Sequence, residues 1–190
     1  MRRSFVGGAG VCGQLLLLAG CSSMPYIGDD VEIHANFIGG YRAVNHDVFE
    51  DHPVAGLEIQ SDRPGDPFGY EIGYLIGWED QDVGNVEHEA TFHEVFFGLR
   101  RTWNPKSNMR PYVGAGAAWM KAEREATSPV DDNEFDDRGA GGYVHTGVNW
   151  RLGYLPLDRW TEVLLGFDVR GVIGDDMDYG QVALTLGFGR

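Results

Sequence analysis

From Val31 to the C-terminus, apolar and polar residues alternate with a period of two, and this pattern restricts the fold to β-strands. Several of the alternating segments are long enough for a tilted strand to cross a bilayer, which takes roughly 9 to 11 residues. The sequence therefore predicts an all-β chain, an eight-stranded antiparallel up-and-down transmembrane β-barrel. Its strands are expected near residues 31–41, 54–61, 68–79, 90–103, 110–123, 139–152, 161–172 and 179–189.

The connections between these segments alternate in length. The segments 62–67, 104–108 and 155–159 are short and rich in Pro, Gly, Asn and Asp, whereas 42–53, 80–89 and 124–138 are longer and carry a net negative charge. The last link, 174–178, is shorter than this pattern predicts. Short periplasmic turns and long outer loops are typical of transmembrane barrels. We therefore expect the acidic loops to face outward and both chain ends to lie on the periplasmic side.

Alternation alone does not say which face points inward. A soluble barrel of the lipocalin kind would put the apolar face inside, but the Gly-x-Trp motif that begins such barrels is absent. The tryptophans fall toward strand ends, as in an aromatic belt: Trp78, Trp103, Trp119, Trp150 and Trp160. The apolar face is clearest on the third predicted strand, with Phe68, Tyr70, Ile72, Tyr74, Ile76 and Trp78.

The polar face mixes small residues with charges of both signs, whereas a solvated surface would contain more lysine than Lys106 and Lys121. Oppositely charged side chains among glycines suit the narrow interior of an eight-stranded barrel. We therefore predict that this face lines the lumen and forms an ion network. Its candidate members are Glu32, Arg42, Glu58, Glu71, Glu94, Arg100, Arg151, Glu162, Asp168 and Arg170.

The N-terminus carries a targeting signal. Arg2 and Arg3 precede an apolar segment ending in Leu15–Leu18, which is too short to span a bilayer. The sequence Leu18-Ala19-Gly20-Cys21 resembles the lipobox of bacterial lipoproteins. This resemblance implies removal of residues 1–20, acylation of Cys21 with chains such as palmitate, and, with Ser22 next, export to the outer membrane. Residues 21–30 would be a lipidated tether and 31–190 the barrel; an ordinary signal peptide is the alternative.

Charge and cysteine content argue against nucleic-acid binding and against an intrachain disulfide. Residues 1–20 contain two arginines and no acidic residue, so the chain from Cys21 onward has 13 Lys and Arg residues against 29 Asp and Glu residues. A chain this acidic lacks the basic surface that nucleic acids require. Cys12 lies in the segment expected to be removed, which leaves one cysteine and no intrachain disulfide.

Two segments resemble small outer-membrane barrels. The start of the fifth strand, Arg110-Pro-Tyr-Val-Gly-Ala-Gly, is similar to the Pro-Tyr-x-Gly-x-Gly strand of OmpA-like and OmpX-like barrels. The segment from Val182 to Phe188 resembles the C-terminal assembly signal of outer-membrane proteins, although Gly189 and Arg190 follow its aromatic. The resemblance implies outer-membrane lipids, lipopolysaccharide, the barrel-assembly machinery and the lipoprotein-export machinery as partners.

Three segments contain residue types that are used in catalysis or metal binding. His145-Thr146-Gly147 resembles the His-x-Ser pair of lipid A deacylases, but Gly147 lacks the nucleophilic hydroxyl and Thr146 projects from the other face. We expect His145 and His34 to be hydrogen-bonded lumen histidines. The acidic runs 46–52 and 131–137 fit weak Ca²⁺ or Mg²⁺ binding but not an EF-hand loop, so no specific metal site and no cofactor are predicted.

The sequence predicts a non-enzymatic outer-membrane lipoprotein barrel with a structural or surface-interaction role. A lipid A-modifying, deacylase-like barrel enzyme is the first alternative. A lipid-anchored, lipocalin-like carrier of apolar ligands is the second.

Overall fold

Eight antiparallel strands close into a barrel, which confirms the predicted fold class. The computed structural model describes residues 31–45, 50–63, 65–83, 86–127, 132–155, 158–175 and 178–190. The predicted signal and tether, residues 1–30, lie outside the described residues. The strands are β1 Glu32–Asn45, β2 His52–Asp62, β3 Gly69–Val83, β4 Val86–Thr102, β5 Met109–Thr127, β6 Asp132–Leu155, β7 Asp158–Gly174 and β8 Asp178–Gly189.

Every strand pairs with the next in the chain, and β8 pairs with β1 to close the sheet. The closing register runs from His34 opposite Gly189 to Asn45 opposite Asp178. A closed ladder satisfies backbone N–H and C=O groups internally, which a strand needs where water is absent. Within the described ranges, no helix is both long and apolar enough to cross a membrane.

Four strands continue past the rim of the closed barrel. β3 pairs with β2 only as far as Gly77, but with β4 out to Val83. β6 pairs with β5 from Asp132, but with β7 only from Gly141. Together these extensions form a four-stranded outer sheet, made of residues 78–83, 86–92, 119–127 and 132–140. The predicted loops 80–89 and 124–138 are therefore wrong for most of their length, because the β3–β4 and β5–β6 ladders continue beyond the alternating segments.

The opposite end of the barrel has short turns. Gly65 and Asn104, both in turns that the sequence predicts, have φ angles of 97° and 53°. Glycine and asparagine are the residues that tolerate this left-handed region, so they permit the chain to reverse within a few residues. The third turn is tighter than predicted, because β6 extends to Leu155 and β7 begins at Asp158.

Candidate functional sites in the lumen and on the outer wall

Most large apolar side chains point away from the barrel axis, while a smaller apolar cluster lies inside. Along β8, Val182, Leu184 and Leu186 are exposed while Ala183 and Thr185 between them are buried. The same alternation exposes large apolar residues on other strands, among them Tyr70, Ile72, Tyr74, Phe97, Leu99, Val144, Leu165, Phe167 and Val169. This is the reverse of a soluble barrel, and it is the arrangement of barrels whose outer wall contacts lipid.

The apolar wall forms a band of limited height. On β4, the outward residues between Arg101 and His93 are Leu99, Phe97 and Val95. Eight residues separate the two polar ends, which gives a height of about 20 Å for a strand tilted by roughly 40°. Outer-membrane barrels have an apolar band of about 25 Å.

Exposed tryptophans lie at both ends of this band. Trp78 and Trp119 lie toward the long hairpins, and Trp103 and Trp150 toward the short turns. Two rows of amphipathic rings are what the two interfaces of a bilayer select. The side chain of Trp160 lies outside the described part of the chain.

Inside the barrel, His145 on β6 lies between two carboxylates. Its Nδ1 is 2.8 Å from Oδ2 of Asp168, and its Nε2 is 2.9 Å from Oε1 of Glu71. Tyr112 donates to the same Asp168 oxygen at 2.7 Å, and Tyr143 donates to Glu71 at 2.6 Å. Because a carboxylate accepts hydrogen bonds, both ring nitrogens are in the donor position that a protonated imidazole fills.

Arg100 on β4 joins this group to the next carboxylate. Its guanidinium pairs with Glu71 at 2.8 Å and with Glu58 at 3.0 Å, and it donates to Gln60 at 2.5 Å. The guanidinium lies over the ring of Tyr112, 4.0 Å from the centroid. The ion pairs of Arg100 thus connect β4 to both β2 and β3, in addition to the backbone ladders between neighbouring strands.

Glu94 is the acceptor nearer the long hairpins. Arg42 pairs with it at 2.5 Å and Arg170 at 3.4 Å, and Tyr179 also donates to it. Arg170 is 3.9 Å from Glu58, which connects this group to Arg100. The resulting central ion cluster holds four carboxylates, three guanidinium groups and one imidazole: Glu58, Glu71, Glu94, Asp168, Arg42, Arg100, Arg170 and His145.

The central ion cluster is charge-balanced when His145 is protonated. All its members are buried, and burying an ion costs several kcal/mol unless partners offset the loss of water. Phe96, which is fully buried, packs its ring against the Arg170 guanidinium at 3.9 Å. Beside Arg42 at the long-hairpin end, the free space of about 10 Å³ has room for roughly one water. The lumen therefore holds buried ions together with a cluster of buried apolar side chains.

The remaining predicted network residues lie at the short-turn end. Arg151 and Arg110 both pair with Glu162, at 3.0 and 2.6 Å, and Arg151 also donates to Asn108 at 2.7 Å. Glu32 is half-buried and takes part in none of the ion pairs found among the described residues. The structure thus divides the predicted set into a central cluster, a separate pair at the turns, and Glu32 alone.

His34 departs from its prediction. It is buried on β1, as expected for a lumen residue, but its Nδ1 has no hydrogen-bond partner in the described part of the chain. Its position explains the difference, because it lies opposite Gly189 at the last pairs of the β1–β8 ladder, away from the central acids.

Several lumen residues were not predicted from the sequence. Tyr112, Tyr143 and Tyr179 each donate a hydroxyl to a carboxylate of the central ion cluster. Asn36 donates to Glu58 at 2.9 Å. The signal was present in the alternation, since each lies an even number of residues from charged or buried polar residues on its own strand.

No metal cluster is found among the described residues: no three His, Cys, Asp or Glu side chains there are placed to hold an ion. Of the acidic run 46–52, Asp51 accepts a hydrogen bond from the backbone N of Val44 at 3.0 Å. Residues 46–49 and the side chains of 131–136 lie outside the described part. Weak cation binding by these runs stays a prediction.

No protein-family model matches the chain, and no curated protein matches it. Solved structures do match. Ail of Yersinia pestis has a TM-score of 0.56 at 12% identity, covering 86% of this chain and 100% of its own. The N-terminal barrel of Pseudomonas aeruginosa OprF has a TM-score of 0.52 at 16% identity, covering 84% and 97%.

A major outer-membrane protein of Thermus thermophilus has a TM-score of 0.59 at 10% identity, covering 84% of this chain and 99% of its own. At these identities the likeness shows the fold alone. The chain has the closed eight-stranded antiparallel architecture that these outer-membrane proteins share.

Proposed function

We propose that this chain is a non-enzymatic protein of the bacterial outer membrane, with a structural or surface-interaction role. The observation that carries the proposal is the inverted distribution of side chains, with a charged core inside an apolar outer wall. In water this arrangement would expose a large apolar surface. In a bilayer the same wall supplies the free energy of insertion, while the central ion cluster fills the lumen.

The lumen geometry opposes both alternatives. A deacylase-like histidine needs a free nitrogen beside a hydroxyl nucleophile, but both nitrogens of His145 face carboxylates and Gly147 carries no hydroxyl. A lipocalin-like carrier needs an apolar cavity, whereas the described part of the lumen is filled by buried ions, amides and tyrosines packed together with a small apolar cluster.

The outer sheet favours a surface-interaction role. In the described ranges, β3 pairs with β2 only as far as Gly77, and β6 pairs with β7 only from Gly141 onward. Such strand edges present backbone groups that an extended segment of a partner can pair with. Ail has been crystallised with the heparin analogue sucrose octasulfate. The acidic sequence of the outer sheet here favours cationic partners over such a polyanion.

The barrel proposal is tested by the migration of unboiled and boiled protein on a detergent gel. A closed barrel resists the detergent until it is heated, because its backbone bonds are all internal. We expect two different mobilities that converge after boiling. Identical migration of the two samples would overturn the proposal.

Lipidation of Cys21 and delivery by the lipoprotein-export and barrel-assembly machineries are part of the proposal. Replacing Cys21→Ser should abolish incorporation of labelled palmitate, yet leave the protein in the membrane after carbonate extraction, because the outer wall inserts by itself. Cys12→Ser is the matched control and should keep the label. Release of the Cys21→Ser protein as a soluble periplasmic species would contradict the transmembrane assignment.

A further inference from the structure

The outward face of β4, β5 and β6 carries three basic residues side by side. Lys121 on β5 lies directly opposite His93 on β4 and Arg138 on β6. Directly opposite residues have Cβ atoms about 4.5 to 5.5 Å apart. His93, Lys121 and Arg138 therefore form one row across three strands, the basic row.

The basic row lies immediately beyond the apolar band. The next outward residues toward the barrel centre are Val95, Trp119 and Ala140, which are in register with one another. Trp119 is exposed, as expected for a belt residue at the interface. Cationic groups at this level lie where lipid headgroups begin, with their stems along the apolar wall.

Two contacts orient the row. The hydroxyl of Tyr74 is 2.6 Å from Nδ1 of His93, and the two rings stack with centroids 6.1 Å apart. Lys121 donates to Glu123, one outward position further along β5. Both partners are partly exposed, and exposed ion pairs contribute little net free energy. An anion of higher charge can therefore compete with Glu123 for the Lys121 ammonium.

The surroundings of the row are acidic. Glu123 lies next to it, and exposed carboxylates at the long-hairpin end include Asp51, Glu89, Asp175 and Asp178. Among the described outward side chains at this end, the cationic Lys121 and Arg138 lie side by side in the basic row. These acidic side chains repel an anionic headgroup, whereas the basic row attracts it, so the row defines both a place and an orientation for the headgroup.

We infer that the basic row binds a phosphate of an outer-leaflet glycolipid of the lipid A class. The inference rests on the proposed function, because it places the long-hairpin end in the outer leaflet. Arg138 offers a planar fork of N–H donors to phosphate oxygens, and Lys121 a compact charge beside it. Trp119 would pack against the sugar and the first part of the acyl chains.

The test is titration of the purified full-length protein in detergent micelles with diphosphoryl lipid A, followed by native mass spectrometry. Lys121→Gln combined with Arg138→Gln should weaken lipid A binding roughly 10- to 30-fold. Arg101→Gln is the matched control, since Arg101 is outward at the opposite end beside Trp103. It should change binding by less than about twofold. Dephosphorylated lipid A should bind the wild-type protein no better than diphosphoryl lipid A binds the double variant.

Equal affinity of wild-type protein and double variant would overturn the inference, as would equal loss in Arg101→Gln. Tighter binding of phosphatidylglycerol than of lipid A would also overturn it. The single variant Arg138→Gln, with a severalfold loss expected, replaces the double variant if that does not fold. Gel migration of the same samples separates the two proposals. A wild-type protein with no heat-dependent shift contradicts the barrel proposal, whereas a shifted variant without lipid A selectivity contradicts only the site.

Discussion

Glu71 on β3 and His145 on β6 meet across the lumen, with Oε1 of Glu71 2.9 Å from Nε2 of His145 and both side chains fully buried. The strands that carry them are not neighbours in the sheet. The contact therefore spans the inside of the barrel, and Asp168 on the far side of the imidazole extends it to β7. Charge, as well as the backbone ladder, ties opposite walls together.

Removing either Glu71 or His145 should lower the stability of the barrel. Glu71→Gln or His145→Gln leaves a buried charge without its partner, which lowers the free energy of unfolding by about 3 to 5 kcal/mol. Urea titration of the barrel in lipid vesicles measures this. The combined variant should lose less than the sum of the two single losses, because they share one interaction.

The control for the buried pair is Arg151→Gln at the short-turn end, where the Arg151–Glu162 ion pair is partly exposed. Its loss should stay within about 1 kcal/mol. If the two buried variants also lose less than about 1 kcal/mol each, the central ion cluster does not hold the walls together as described.

Two glycines test how tightly the lumen is packed. A Cβ on Gly73 would lie 2.3 Å from Cζ of the buried Phe96 and 2.8 Å from the carbonyl oxygen of Leu57. Gly73→Ala should therefore destabilise the barrel by about 1 to 3 kcal/mol through overpacking. Gly171 faces outward with nothing within 4 Å of the added carbon, so Gly171→Ala should be neutral. Equal stability of the two variants in urea titration would show that the lumen beside Gly73 has room for a methyl group.

The fold was largely predictable because the apolar outer wall imposes the period of two. Tyr70, Ile72 and Tyr74 are exposed as the alternation predicts, with buried residues between them. The outer sheet was not predictable in this way. The run Glu79-Asp80-Gln81-Asp82 on β3 has no apolar alternation, because strands beyond the apolar wall need no apolar face. Acidic strands and acidic loops then look alike in sequence.

The lumen site was predictable in its membership but not in its pairing. Alternation assigns Glu71, Glu94 and Arg170 to the inner face, but it does not show which residues meet across the axis. That depends on stagger and closure, and it brings Arg42 of β1 to Glu94 of β4. Tyr143 and Tyr179 were missed because a tyrosine suits either face; the alternation places them inside, but their carboxylate partners are seen only in the structure.

Because its lumen is filled by side chains, the barrel should not conduct ions as a porin does. Glu94 holds Arg42 at 2.5 Å and Arg170 at 3.4 Å, and together with Tyr179 these side chains block the axis near the long-hairpin end. Purified protein in a planar bilayer should show no stable porin-like steps, with gel-shifted protein recovered from the same preparation as proof of folding. Stable, large steps from the folded protein would mean that the cluster opens.

Spin labels on β8 measure whether the outer wall contacts lipid, on which the proposed function depends. Single cysteines replace five successive residues of β8. Val182, Leu184 and Leu186 are exposed, and Ala183 and Thr185 between them are buried. Each is labelled with a nitroxide in a cysteine-free background and reconstituted into vesicles. We expect strong relaxation by oxygen, which partitions into lipid, at the three exposed positions, and weak relaxation by any agent at the two buried ones. Relaxation at Val182, Leu184 and Leu186 by a water-soluble nickel complex instead of oxygen would contradict the account.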